Sequence, residues 1–146
     1  MSHTFSQLLF HFVFSTQNRE ELIGPDLRPK LYSYLEGIVQ SEGGVLLSIG
    51  GMPDHVHLLA RLKPAIFIPD LLRSIKAGSS GWVNSRSRFA WQEGYGAFSV
   101  SESSAKTVHR YIQNQEAHHR KQNFEAEWIG LLERHGIEFD PAKPFG

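Results

Sequence analysis

Cysteine is absent from the 146 residues. Its absence removes disulfide scaffolds, thiolate zinc sites, iron–sulfur ligation and thiol nucleophiles together, and fits a reducing compartment. Net charge is absent too, because 15 Lys and Arg offset 15 Asp and Glu. That balance argues at first against a nucleic-acid partner, since phosphate binders usually carry a basic surplus. Long apolar runs are missing: no stretch approaches the roughly 18 residues of a membrane span, and positions 1–16 lack the charged-then-apolar order of a signal peptide. A cytoplasmic location without membrane contact is expected. No repeat, low-complexity tract or long linker divides the chain, so a single domain is expected over 1–146. What is present is a hydrophobic share of 40%, enough for a real core, and eight histidines that can serve as metal ligands or acid/base groups.

Patterning gives the order of elements. Gln7 to Thr16 alternates Leu8, Phe10, Phe12 and Phe14 with Leu9, His11, Val13 and Ser15, the period of a strand with both faces apolar, hence a central one. Asp26 to Ser41 sets Leu27, Leu31, Tyr34, Leu35 and Ile38 at helical spacing and is closed by Gly43 and Gly44. Val45 to Ile49 and His55 to Leu62 flank a turn at Gly50 to Asp54 and predict a hairpin. Ile68 to Ser85 predicts a second helix, Ala97 to Val100 a short strand, Ala105 to Gln122 a third helix, and Phe124 to His135 a terminal one ending at Gly136. The order β-α-β-β-α-β predicts an α+β, ferredoxin-like split-βαβ sheet with helices on one face and two added C-terminal helices.

Within the predicted third strand, Val56, Leu58, Ala60 and Leu62 face one way, and His55 and His57 the other. The apolar side belongs to the helix-covered core, so both imidazoles project from the open face, which His11 shares. In the third helix, Val108, Tyr111, Ile112, Gln115 and His119 form one narrow stripe at 100° per residue. Val108 and Ile112 need a surface to pack on, and the uncovered sheet face supplies it. Tyr111 and Gln115 are thereby carried toward His55 and His57. Two imidazoles and an amide oxygen form a neutral ligand set for a divalent ion, with positions left open for an anionic substrate such as a phosphodiester. Such an ion polarises phosphoryl oxygens. Tyr111, a poor nucleophile at neutral pH with an ordinary pKa of about 10, then has an activated phosphate to attack.

These residues carry a resemblance. His55-Val56-His57 resembles the His-hydrophobic-His motif of single-tyrosine HUH transposases, and Tyr111-Ile112-Gln113-Asn114-Gln115 resembles their nucleophile helix. The likeness extends to His11 through Thr16, Met52-Pro53-Asp54, Ser74 through Ser80 and Trp91 through Tyr95. It implies a ferredoxin-like domain that nicks and rejoins single-stranded DNA at hairpin-bearing element ends through a 5′-phosphotyrosine. Tyr111 would be the catalytic nucleophile and His55, His57 and Gln115 would hold Mg²⁺ or Mn²⁺. It also implies a homodimer in which the tyrosine helix of one subunit can complete the histidine site of the other. Rival readings are a domesticated hairpin-DNA binder without mobility and a small metal-dependent phosphodiesterase.

Candidate DNA contacts are Arg19, Arg73, Lys76, His119 and Arg120, while Trp82, Trp91 and Tyr95 are expected in the core. The neutral balance averages unequal segments. Residues 61–88 hold six basic groups against Asp70, whereas 125–140 hold five acidic groups against Arg134. A basic face next to the His-x-His strand, away from the terminal helix, is the expected DNA surface.

Overall fold

The computed structural model describes residues 3–146, so positions 1 and 2 of the expected domain lie outside the described residues. Four strands, β1 (Leu9–Ser15), β2 (Val45–Met52), β3 (His55–Arg61) and β4 (Gly96–Val100), form one sheet in the order β2-β3-β1-β4. Every neighbouring pair is antiparallel. β3 inserts between β1 and β2, which are joined through α1 (Leu27–Ser41). This is the split βαβ arrangement expected from the sequence. Among the described residues no helix is long and apolar enough to cross a membrane.

The pleat sorts the side chains into two layers. Phe10, Phe12 and Phe14 of β1 pair with Ala60, Leu58 and Val56 of β3. They pack with Leu31, Leu35 and Val39 of α1 and with Leu71, Leu72 and Ile75 of α2 (Ile68–Asn84). Each fully buried Leu, Ile or Phe in this layer contributes about 2 kcal/mol of transfer free energy. Trp91 lies in the same core, and Trp82 and Tyr95 pack against it, as expected. On the opposite face His11, Val13 and Ser15 pair with Leu59, His57 and His55. A one-residue slip in this register would exchange the two sets.

The second face is not open. It is covered by α3 (Ala105–Gln113), α4 (Gln115–His119) and α5 (Phe124–Arg134), with Leu9, Leu59, Val100 and Ile112 in one apolar cluster and Val13, Phe98, Phe124, Trp128, Leu131 and Leu132 in another. The expected continuous helix over 105–122 is interrupted at Asn114, whose backbone leaves helical angles (φ −103°, ψ 22°). Asn competes poorly for a helix interior and well for its ends. β2 runs on through Gly50 and Gly51, so the turn shortens to Pro53 and Asp54.

Gly50 fixes how closely α3 approaches. A Cβ there would overlap the Ile112 carbonyl oxygen at the end of α3. Next to it the Gln113 side chain donates to Ser48 Oγ at 2.9 Å and to the Ile49 carbonyl at 3.1 Å, fastening α3 to β2. Gly50→Ala is expected to lift α3 and to lower stability by about 1–3 kcal/mol in urea unfolding. Gly37→Ala, in α1 with nothing within 4 Å of the added carbon, is expected to stabilise by up to about 1 kcal/mol. Equal effects at the two positions would contradict this account of Gly50.

Candidate active site

Three elements of the second layer converge on one point of the sheet. β3 supplies His55 and His57, both fully buried, and the α3–α4 junction supplies Tyr111, Gln115 and His119. α5 supplies Glu127, 1% exposed and central to the group. The Nε2 atoms of His55, His57 and His119 lie 3.3, 3.1 and 3.1 Å from the same atom, Glu127 Oε1. Gln115 Oε1 stands 3.0 Å from both His55 Nε2 and His119 Nε2. Glu127 Oε2 accepts from the Tyr111 hydroxyl and, at 3.1 Å, from the Gln115 amide nitrogen. The sequence reading brought together Tyr111, Gln115, His55 and His57, and the structure places all four in this one cluster, within one chain.

The outer imidazole nitrogens define what the centre requires. His55 Nδ1 is 2.7 Å from Asp54 Oδ1, and His119 Nδ1 is 2.7 Å from the Gln122 carbonyl, so both must carry a proton there. In the neutral tautomer each then aims an Nε2 lone pair at two oxygen acceptors. Acceptors facing acceptors need positive charge between them, from protons or from a bound cation. His57 Nδ1 meets His11 Nε2 at 2.9 Å, which leaves His57 free to present its own Nε2 lone pair inward when His11 accepts. Atoms that share one ion at about 2.1 Å stand about 3 Å apart, and the donor spacing of this cluster fits such an ion.

Electrostatics follow the same logic. Burial would raise the Glu127 carboxyl, but hydrogen bonds from His119, His55 and His57 hold it well below the usual carboxylate range. Burial would lower His55, yet Asp54 and Glu127 push it up to about 9. Burial lowers His57, and it lowers His11 to about 3 with help from His57, so His11 stays a neutral acceptor. Burial, reinforced by the Glu127 charge, raises Tyr111 above its ordinary value, so it is a phenol at neutral pH. His118 Nε2, buried and without a hydrogen-bond partner, lies 3.4 Å from Glu127 Oε2.

A family model described as "Transposase IS200 like" matches residues 4–115. The chain belongs to the IS200-like transposase family. The transposase is 25% identical over 118 residues to the ISDra2 transposase TnpA of Deinococcus radiodurans, a match covering 75% of this chain and 84% of that one. A crystal structure of a transposase from Deinococcus radiodurans R1 aligns at a TM-score of 0.65 and 26% identity, covering 79% of this chain and 95% of that one. The structure of a REP-associated tyrosine transposase bound to a REP hairpin aligns at 0.58 and 14% identity over 77% of this chain and 70% of its own, and shows the shared fold.

Two residues of the cluster, His119 and Glu127, lie beyond the matched segment. Glu127 was missed from sequence although a signal exists. It sits on the apolar stripe of α5, between Phe124 and Leu131 at helical spacing, where a carboxylate needs a partner. His119, expected as a DNA contact, is instead held inside the cluster. Arg73 and Lys76 belong to α2, whose core-facing residues pack on the opposite sheet face, so these two cations of the basic segment 61–88 do not adjoin the histidines. Arg73 pairs with Asp70 at 2.8 Å, and Lys76 is hydrogen-bonded to the carbonyls of Gln92, Glu93 and Gly94. Arg19 lies over the Phe145 ring at 4.3 Å, and Arg120 is exposed at the end of α4. The sequence pattern misleads because chain proximity to β3 is not proximity to its histidine face.

His55 gives the metal-free protein a pH signature. A pKa raised from 6.5 to about 9 contributes stability that is complete below pH 6.5 and lost as pH climbs through 9. His57 and His11, shifted downward, complete their own change by about pH 7, while Lys76, lowered by burial to about 8, gains stability as pH climbs past 8 and offsets part of the loss. Unfolding of the metal-free protein is expected to become easier from pH 6.5 to pH 9, by as much as about 3 kcal/mol, and Asp54→Asn is expected to shrink the decline. A flat profile would contradict the assignment of paired carboxylates to His55.

Proposed function

We propose that the transposase nicks and rejoins single-stranded DNA by transesterification, with Tyr111 as nucleophile and His55, His57 and Gln115 as ligands of Mg²⁺ or Mn²⁺. The observation that carries this reading is the placement of the Tyr111 hydroxyl on the carboxylate around which the His55 and His57 Nε2 atoms gather. Tyr111 also borders two clefts, of about 640 and 510 Å³. Arg110, His118 and Lys121 line the first, and Ser101, Thr107 and Arg134 line the second. A strand crossing from one cleft to the other passes the phenol with cations and hydroxyl donors available to its phosphates. The likeness to a hairpin-bound tyrosine transposase supports a folded single strand as substrate.

The bound ion would supply charge to polarise the phosphoryl oxygens. Tyr111 Oη attacks phosphorus, its bond forms as the bond to the 3′ oxygen breaks, and the DNA 3′ of the nick stays linked through a 5′-phosphotyrosine. The phenol proton leaves along the hydrogen bond to Glu127 Oε2 only as the new bond forms, because Glu127 is held low and Tyr111 high. The released 3′ oxygen takes up a proton from solvent. Rejoining is the reverse. His11 positions His57, and Asp54 positions His55, each through the outer nitrogen. Gln113 fastens α3 to β2 and seats Tyr111 beside His57, and on that packing the chemistry is proposed to run in cis. The homodimer implied by the family resemblance is retained as a proposal, with sedimentation equilibrium as its test.

With a 3′-labelled stem-loop strand and Mg²⁺ or Mn²⁺, the wild-type protein is expected to form a denaturant-resistant labelled adduct. Tyr111→Phe should reduce it below about one-thousandth, and chelation should abolish it. Mixing Tyr111→Phe with His57→Ala should restore nothing. An adduct from Tyr111→Phe would sink the nucleophile assignment, and recovery on mixing would sink the cis one.

A further inference from the structure

We propose that Glu127 and His119 are ligands of the same ion, so that the centre has three imidazoles and two side-chain oxygens and favours transition ions over Mg²⁺. The inference rests on the metal reading above and extends it to a segment outside residues 4–115 matched by the family. Three observations carry it. The Nε2 atoms of His55, His57 and His119 all stand 3.1–3.3 Å from Glu127 Oε1, which makes that oxygen as central to the cluster as any histidine. His119 Nε2 is also 3.0 Å from Gln115 Oε1, the oxygen already assigned to the ion. Finally, His119 has its outer nitrogen fixed on the Gln122 carbonyl at 2.7 Å, as His55 has on Asp54. Both are therefore oriented as metal-binding imidazoles usually are, with the second nitrogen anchored.

The donor types decide the preference. His55, His119 and Glu127 each offer an atom within 4.8 Å of the others. With His57 and Gln115 they form a mostly nitrogen set. Mg²⁺ demands oxygen ligands and keeps its waters, whereas affinity for a mixed nitrogen and oxygen site rises along the divalent first-row series from Mn²⁺ to Co²⁺. The Glu127 charge also changes the set from neutral to singly negative, which strengthens binding of any divalent ion. Its second oxygen remains on the Tyr111 hydroxyl, so one carboxylate would link the ion to the nucleophile. The occupied centre would then join β3, α4 and α5, and binding would be coupled to docking of the C-terminal helix.

The test is calorimetric titration of the full chain with MnCl₂, CoCl₂ and MgCl₂ in the absence of DNA, with the metal-induced rise in unfolding temperature as a second readout. One high-affinity Mn²⁺ is expected, with Co²⁺ tighter and Mg²⁺ at least tenfold weaker. Glu127→Gln, which keeps the volume and removes the charge, and His119→Asn, at the half-buried end of the site, should each weaken Mn²⁺ at least tenfold. Circular dichroism of each variant confirms that it is folded, and either variant alone suffices for the reading. Wild-type Mn²⁺ affinity in folded Glu127→Gln and His119→Asn, alongside loss in His57→Ala, would overturn this inference and leave the three-ligand site standing. If the wild-type protein binds none of the three ions, the metal reading itself falls, and this inference with it.

Discussion

A carboxylate sealed from water against three imidazoles is the constraint on which the second layer depends. An unpaired buried charge costs several kcal/mol, so Glu127 requires positive charge beside it, and the three Nε2 atoms gather around the point where that charge, as protons or as a bound cation, has to sit. That requirement sets the seating of α5 on the sheet, because Glu127 lies among Phe124, Trp128 and Leu131 on its buried stripe. It also sets the α3–α4 junction, because Gln115 and His119 must reach the same point. The apolar clusters provide most of the burial energy of this layer, and the polar centre selects the arrangement in which that burial is possible.

The fold prepares the centre through simple alternation. β3 sends Val56, Leu58 and Ala60 into the α1–α2 core and His55 and His57 to the other side, so one strand serves structure with one face and chemistry with the other. The bare Cα of Gly50 then lets the end of α3 lie directly on β2, which brings Tyr111 down to the level of His57. The two rings meet edge to face at 5.6 Å. The IS200-like family match ends at residue 115, and the layer it leaves unfinished is closed by residues further along the chain.

Much of this was legible in the residues. Period-two patterning located β1 and β3 and divided their faces correctly, and the stripe through Tyr111, Ile112 and Gln115 found the surface on which the helix packs. Glu127 was not read because a single charge in an amphipathic helix is usually solvated, and only the tertiary fit shows that this one is not. Arg73 and Lys76 were expected on the histidine side, whereas their helix α2 packs against the opposite sheet face. The break at Asn114 was only half legible: Asn favours helix ends over interiors, but the stripe through Tyr111, Gln115 and His119 runs on past it, and only the structure shows the helix interrupted between them.

On this reading the second face of the sheet, closed by the C-terminal helices, is built around one cation position. Anomalous diffraction from crystals grown with MnCl₂ tests it most directly. One strong peak is expected, enclosed by His55 Nε2, His57 Nε2, His119 Nε2, Gln115 Oε1 and Glu127 Oε1, about 2.0–2.3 Å from each. A map with no peak there, or with Mn²⁺ only on solvent-exposed carboxylates, would contradict it.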